Sequence, residues 1–170
     1  MAYTAEIIND DTGKLERDVA LLLTEHGLTV AVAESCTGGL LSKRLTDIPG
    51  ASGFFMGGIV SYNAQSKISL LGVNAGLIRE MGVVSREVAL AMADCAREKF
   101  VVDIGIGITG IAGPEGDGSG VGVGTVFVAM TLKDISLHRD LHLTHDRDRI
   151  RTAAASHALD MMRKYLVTLG

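Results

Sequence analysis

Apolar runs that break off into small and polar residues, each followed by a helix-like period, constrain this chain more than any other feature. Thr29 to Ala33 ends in Glu34-Ser35-Cys36-Thr37-Gly38-Gly39, and Phe54 to Tyr62 ends shortly before Lys67. A strand that stops in a glycine turn and re-emerges as a helix is one βα unit, and α/β proteins keep their chemistry at such strand ends. Ser35 and Tyr62 both fall there.

The same alternation continues along the chain. Asp11 or Thr12 could cap a first helix with Leu15, Val19, Leu22 and Leu23 on one face, ending at Gly27. Residues 1–10 read as a loose tail. Gly38 to Thr46 fits a helix entered from the glycine turn, Ala64 to Leu71 a short helix, and Ser85 to Phe100 a longer one capped by Ser85. Val101 to Thr109 and Gly122 to Met130 read as buried strands. Ile135 to Leu143 alternates apolar with polar residues, as a strand with one wet face does. From Ile150 to Leu166 apolar residues recur with a period of 3.6, which describes a closing helix. Strands alternating with helices predict a single-domain three-layer α/β/α sandwich with a mixed, mostly parallel sheet of about five strands. The direct link between the last two strands requires at least one antiparallel pair.

Length and composition fit that fold. A chain of 170 residues with 47% apolar content and 21 glycines can bury a core without disulfides or metal. Its net charge of -4 disfavours a sequence-independent grip on nucleic acid. Cys36 and Cys95 lie far apart and form no metal-type pair, which suits a reducing cytoplasm. Met1 to Asp18 lacks a basic segment followed by an apolar one, so neither a signal peptide nor a membrane span is expected.

Taken singly, the residues at the strand ends have plain structural readings. Ser35 could be a helix cap, Lys67 a solvated surface residue and Tyr62 a half-buried aromatic. Together they suggest a serine nucleophile near a lysine and a tyrosine. Two glycines after Ser35 allow backbone N–H groups to approach an anion or a developing oxyanion. For Lys67 to act as a base its pKa must fall from ~10.4 to about 7.5, which takes roughly 4 kcal/mol of destabilised charge. Cys36 is a rival nucleophile, but no histidine lies near it in sequence, and buried inert cysteine is the commoner case.

Other motifs carry less. Gly105-Ile106-Gly107-Ile108-Thr109-Gly110 matches a dinucleotide-binding pattern, but it lies inside a strand and is followed by Ile111-Ala112-Gly113-Pro114 rather than a helix. The glycine-rich stretch from Thr109 to Gly124 is either a ligand-closing loop or a mobile hairpin. His138 and His142 share the wet face of a strand while His145 has opposite parity, so they read as a solvated edge and no metal site is expected. Arg147, Arg149 and Arg151 form a charged helix start, where one arginine could face a phosphate.

The motifs Ala33-Glu34-Ser35-Cys36-Thr37-Gly38-Gly39, Tyr62 to Lys67 with Leu71-Gly72-Val73, Gly82-Val83-Val84-Ser85, and Thr109-Gly110-Ile111-Ala112-Gly113-Pro114 resemble the C-terminal domain family of the competence/damage-inducible CinA proteins. That family includes stand-alone nicotinamide mononucleotide deamidases, and the resemblance runs from about Leu15 to Leu166. It implies hydrolysis of a pyridine mononucleotide amide to the acid and ammonia, without cofactor, with Ser35 as nucleophile assisted by Lys67 and Tyr62. The substrate-binding set it suggests is Glu34, Cys36, Thr37, Gly38, Gly39, Thr109, Gly110, Ile111, Ala112, Gly113 and Arg149, with backbone N–H groups near Gly38, Gly39 or Gly110 for the oxyanion. A homo-oligomer is expected by the same analogy. Two features depart from the family: its large N-terminal domain has no counterpart in this sequence, and the glycine loop reads Glu115-Gly116-Asp117-Gly118, with Thr109 standing where many members have serine. The alternatives are a nucleotide-binding or regulatory module without chemistry, and an amidase for another small heteroaromatic amide.

Overall fold

The computed structural model describes residues 13–170. The expected tail and the expected caps Asp11 and Thr12 lie outside those residues. α1 (Lys14–His26) starts from Gly13 and ends at Gly27, whose left-handed backbone closes the helix. The chain then runs through β1 (Val30–Glu34), α2 (Leu40–Thr46), β2 (Phe55–Val60), α3 (Ala64–Ser66) and a π-helical turn over Lys67–Leu71. It continues through α4 (Ala75–Met81), α5 (Arg86–Phe100), β3 (Ile104–Gly110), β4 (Thr125–Thr131), β5 (Ser136–His142) and α6 (Arg147–Val167).

The five strands form one sheet in the order β2-β1-β3-β4-β5. β1 pairs parallel with both β2 and β3, while β4 is antiparallel to β3 and β5. Four strands therefore point one way and β4 alone runs back, which gives the mixed, mostly parallel sheet that the alternation implied. Helices cover both faces. Leu15, Val19 and Leu23 of α1, Leu41 and Leu45 of α2, and the buried side of α6 share one core with Val30, Val32, Ile104, Ile106, Ile108 and Val128. α5 and the segment around Leu71 and Ile78 pack on the opposite face with Ala33.

The two faces of β3 explain its glycine-isoleucine alternation. Its isoleucines fill the larger core, and its glycines let α5 sit directly on the sheet. A Cβ on Gly105 would come within 2.0 Å of the Ala93 carbonyl oxygen, and one on Gly107 within 2.1 Å of that of Ala89. The G-x-G-x-x-G pattern is thus a close-packing device in the middle of a strand.

Several boundaries differ from those read off the sequence. α4 has no counterpart among the expected helices; it is short, contains Gly76, and is set by Asn74, whose side chain accepts from the Gly76 and Leu77 N–H groups at 2.7 and 3.2 Å. β3 begins three residues later than expected because Val101 takes a left-handed conformation that caps α5. In β5 the expected inner residues Leu141 and Leu143 are buried, but Leu137 is 38% exposed because this edge strand runs beyond the core. α6 is buried on most of its circumference, since it lies against β4 as well as α1 and α2.

Candidate active site

The site lies at the carboxyl ends of β1 and β2. The Ser35 N–H continues the ladder to the Ile108 carbonyl at 3.0 Å, and the chain then turns away through Cys36 and Thr37. A Gly38 N–H bond to the Ser35 carbonyl at 3.0 Å closes that turn. After β2, Asn63 and Ser66 cap one another reciprocally, and the π-helical turn that follows directs Lys67 inward. π turns are rare and concentrate at functional sites.

Lys67 is 0% exposed. Its Nζ donates to Ser35 Oγ at 2.9 Å and to the Ser61 carbonyl at 2.7 Å. Ser35, itself buried, donates to the Tyr62 carbonyl at 3.5 Å. Burial disfavours the ammonium and brings the Lys67 pKa down to about 8, with a smaller opposing effect from Cys36. The same burial pushes the Cys36 thiol up to about 12, so the rival nucleophile is held as an inert thiol. Among the described residues, no carboxylate partners Lys67 at hydrogen-bond distance, and its side-chain contact is with Ser35.

The remaining expected site residues divide between chemistry and scaffold. Glu34 is wholly buried, and its carboxylate accepts from the N–H groups of Gly39, Leu41 and Ser42 and from Ser42 Oγ, at 2.7 to 3.1 Å. It caps α2 rather than facing the cleft. That bond and the turn bond occupy the Gly39 and Gly38 N–H groups, which were expected to hold an oxyanion. Among the described residues, the Cys36 and Thr37 N–H groups directly follow the serine, make no hydrogen bond to a main-chain carbonyl, and are directed at the Cys36 sulfur. An oxyanion hole uses the N–H after a nucleophile in this way. The hydroxyls of Thr37 and Ser61 are also buried without a partner.

In the segment from Thr109 to Gly113, Thr109 Oγ1 donates to the Val83 carbonyl at 3.0 Å and is spent on the scaffold. Gly110 ends β3 against Thr125, Ile111 bonds Thr125 and Gly124 across the loop neck, and Ala112 joins the core. Only the Gly113 carbonyl reaches the mouth, where it accepts from Arg147 at 2.6 Å. The other arm of the Arg147 guanidinium donates to the Tyr62 hydroxyl at 2.8 Å. Tyr62 therefore offers its main chain to Ser35 and its hydroxyl to Arg147. It makes no hydrogen bond to Lys67.

Arg149, the arginine expected at the site, is directed to solvent. Its side chain is 71% exposed and pairs with Asp146 at 3.7 Å, away from the cleft. The arginines that face the site are Arg147 and Arg151, and Arg151 donates to the Thr37 carbonyl at 2.9 Å. Their signal was in the sequence: they share the inward face of α6 with Ile150 and Ala154 at i, i+3, i+4 and i+7 spacing. Among the described residues, no group of three or more His, Cys, Asp or Glu side chains could hold a metal ion, and no helix is long and apolar enough to cross a membrane.

Residues 12–166 match a protein family described as the CinA C-terminal domain. A CinA-like protein of Geotalea daltonii is 42% identical over 163 residues, covering 96% of this chain and 40% of the relative. A putative competence-damage inducible protein of Alkaliphilus oremlandii is 42% identical over 158 residues, covering 93% of this chain and 38% of the relative. The chain thus spans about two fifths of the length of these curated relatives. Among solved structures, the competence/damage inducible protein CihA from Agrobacterium tumefaciens superposes with a TM-score of 0.87 at 35% identity, covering 95% of this chain and 99% of that one. A CinA superfamily protein from Klebsiella pneumoniae superposes with a TM-score of 0.90 at 28% identity, covering 94% and 99%.

Proposed function

The chain belongs to the CinA C-terminal domain family, and on that premise we propose that it is a serine amidohydrolase that deamidates nicotinamide mononucleotide to nicotinate mononucleotide and ammonia. The carrying observation is the 2.9 Å contact between Lys67 Nζ and Ser35 Oγ, made by an amine that burial has brought to about pKa 8. A buried lysine without a carboxylate partner is costly, and a base for a serine nucleophile is a reason to keep one.

Neutral Lys67 accepts the Ser35 proton as Oγ attacks the carboxamide carbon. The C–O bond forms while the carbonyl electron pair moves onto oxygen, where the Cys36 and Thr37 N–H groups receive it. Collapse of the tetrahedral intermediate breaks the C–N bond, and Lys67 returns its proton to the departing ammonia. Water then attacks the acyl-serine, Lys67 takes its proton, and the carboxylate leaves as Ser35 Oγ is reprotonated. Tyr62 is not required as a relay, because Lys67 contacts Ser35 directly.

The phosphate is assigned to Arg151, which lies one helical turn from Arg147 and donates to the Thr37 carbonyl beside Ser35. Ammonia release from nicotinamide, its riboside and its mononucleotide tests the reading. Release only from the mononucleotide, abolished in Ser35→Ala, is the expected result. Release unchanged in Ser35→Ala would overturn the mechanism. Release from a different heteroaromatic amide would change the substrate, and saturable binding without turnover would point to a non-catalytic nucleotide module.

A further inference from the structure

The Tyr62 side chain is placed unlike an ordinary surface tyrosine. The residue is 56% exposed, yet it is held at both ends: its carbonyl accepts from Ser35 at 3.5 Å and its hydroxyl from Arg147 at 2.8 Å. The second Arg147 arm reaches the Gly113 carbonyl at 2.6 Å, so one rigid guanidinium sets the separation between the Tyr62 ring and the opposite wall of the mouth. On that wall a second apolar side chain is left in solvent. Val123 is 42% exposed and packs on Gly113 so closely that a Cβ there would lie 2.7 Å from it. An exposed aromatic ring and an exposed valine thus flank an arginine bridge, and the main chain of Tyr62 touches the Ser35 hydroxyl.

A large apolar surface that is exposed but immobilised is ready to bind, because its ordering entropy is already lost. Hydrogen-bonding the hydroxyl at the far end from the nucleophile leaves the ring face as the part of Tyr62 still without a partner. We propose that Tyr62 is a stacking platform for the planar, electron-poor heteroaromatic ring that carries the amide, and that Arg147 is the positioning residue that fixes it. A pyridinium suits this platform, since the electron-rich face of a phenol attracts a flat cation. Recognition of the ring is then separate from the chemistry, which stays with Ser35 and Lys67. The proposal rests on the amidohydrolase reading and moves the tyrosine from proton transfer to substrate recognition.

Two measurements test it. The chain has three tyrosines and no tryptophan, so its ultraviolet emission comes from Tyr3, Tyr62 and Tyr165. Nicotinamide mononucleotide should quench that emission saturably in Ser35→Ala, and ribose 5-phosphate, which lacks the ring, should not. In the active protein, Tyr62→Phe keeps the ring but loses the Arg147 bond, so it should raise KM to the same extent as Arg147→Gln while kcat stays within about threefold. Tyr62→Leu should raise KM at least tenfold with kcat within about threefold, and Arg147→Gln should raise KM in the same direction. A kcat loss as deep in Tyr62→Phe as in Ser35→Ala would overturn the proposal and make the hydroxyl a proton relay. An unmoved KM in Tyr62→Leu would also overturn it. If the wild-type protein quenches with the nucleotide but releases no ammonia, the amidase reading fails while the platform stands. Absence of quenching beside normal turnover sinks the platform alone.

Discussion

Lys67 Nζ lies 2.9 Å from Ser35 Oγ at a position where the lysine has no solvent exposure, and burial brings the amine down to about pKa 8 against a smaller opposing effect of Cys36. The two residues come from different strand-end segments, a glycine turn after β1 and a π-helical turn after β2. Neither segment accounts for the pair by itself. The parallel pairing of β1 with β2 brings them together.

This pairing sets the pH dependence. Only the neutral amine can take the serine proton, and with a pKa of about 8 roughly one molecule in ten carries it at pH 7. kcat/KM for nicotinamide mononucleotide should therefore rise about tenfold per pH unit below 7 and level off above about 8.5. A rate profile that is flat from pH 6 to 9 would remove Lys67 from the role of base.

Lys67→Met separates function from stability. The variant should lose at least a thousandfold in kcat, yet melt higher at pH 7 than the wild type. In the wild type the folded pKa lies below the unfolded value of 10.5. The unfolded chain thus binds the extra proton, and stability rises with pH between about 8 and 10.5. Below that window the buried charge costs about 3 kcal/mol, and methionine removes this while giving up about 1 kcal/mol of hydrogen bonding. The expected net gain is about 2 kcal/mol, some 4–8 °C in a chain of this size. The gain should fade as pH approaches 10.5. Calorimetric melts at pH 7 and pH 10 check both, and a lower Tm for the variant at pH 7 would show that Lys67 stabilises the fold.

The fold was legible because its signals are local. The glycine turn after β1, the Ser85 cap of α5 and the period of α6 each determine an element from neighbouring residues. The proximity of Ser35 and Lys67 was legible in the sequence, but the contacts of the residues around them were not. Glu34 reads as a cleft residue until α2 is seen to point its N–H groups at that carboxylate, which in turn uses up the Gly39 N–H. Thr109 looks like a ligand hydroxyl until Val83 is found beside it, 26 residues away in sequence. Burial of Lys67 depends on a π turn, which has no simple sequence signature.

The arginines of α6 give a prediction on which face of the helix is functional. Arg151 donates to the Thr37 carbonyl beside the nucleophile turn, whereas Arg149 points to solvent. Arg151→Gln should raise KM for the mononucleotide about tenfold or more, while barely changing KM for the riboside, which has no phosphate to lose. Arg149→Gln should leave both within about twofold. Equal effects of the two variants would place the phosphate elsewhere. A loss in Arg151→Gln that is the same for both substrates would reduce Arg151 to a brace for the Thr37 turn.

Gly107→Ala tests the packing that holds β3 beside β1. The added Cβ would sit 2.1 Å from the Ala89 carbonyl oxygen and 2.7 Å from the Ala93 backbone nitrogen. These are backbone atoms of α5, so no side chain can rotate away, and the whole helix must lift from the sheet. Overpacking of this kind costs about 3 kcal/mol. A Cβ at Gly53 would meet nothing within 4 Å, so Gly53→Ala serves as the neutral control. Urea denaturation should show a lower midpoint with little change in slope for Gly107→Ala and an unmoved midpoint for Gly53→Ala. Because Ala33 packs on the same side of the sheet as α5 and is followed within two residues by Ser35, the lifted helix should also loosen the nucleophile. Turnover should fall even at temperatures where Gly107→Ala remains fully folded. A variant with wild-type stability and turnover would mean that α5 does not rest on β3 as closely as these distances require.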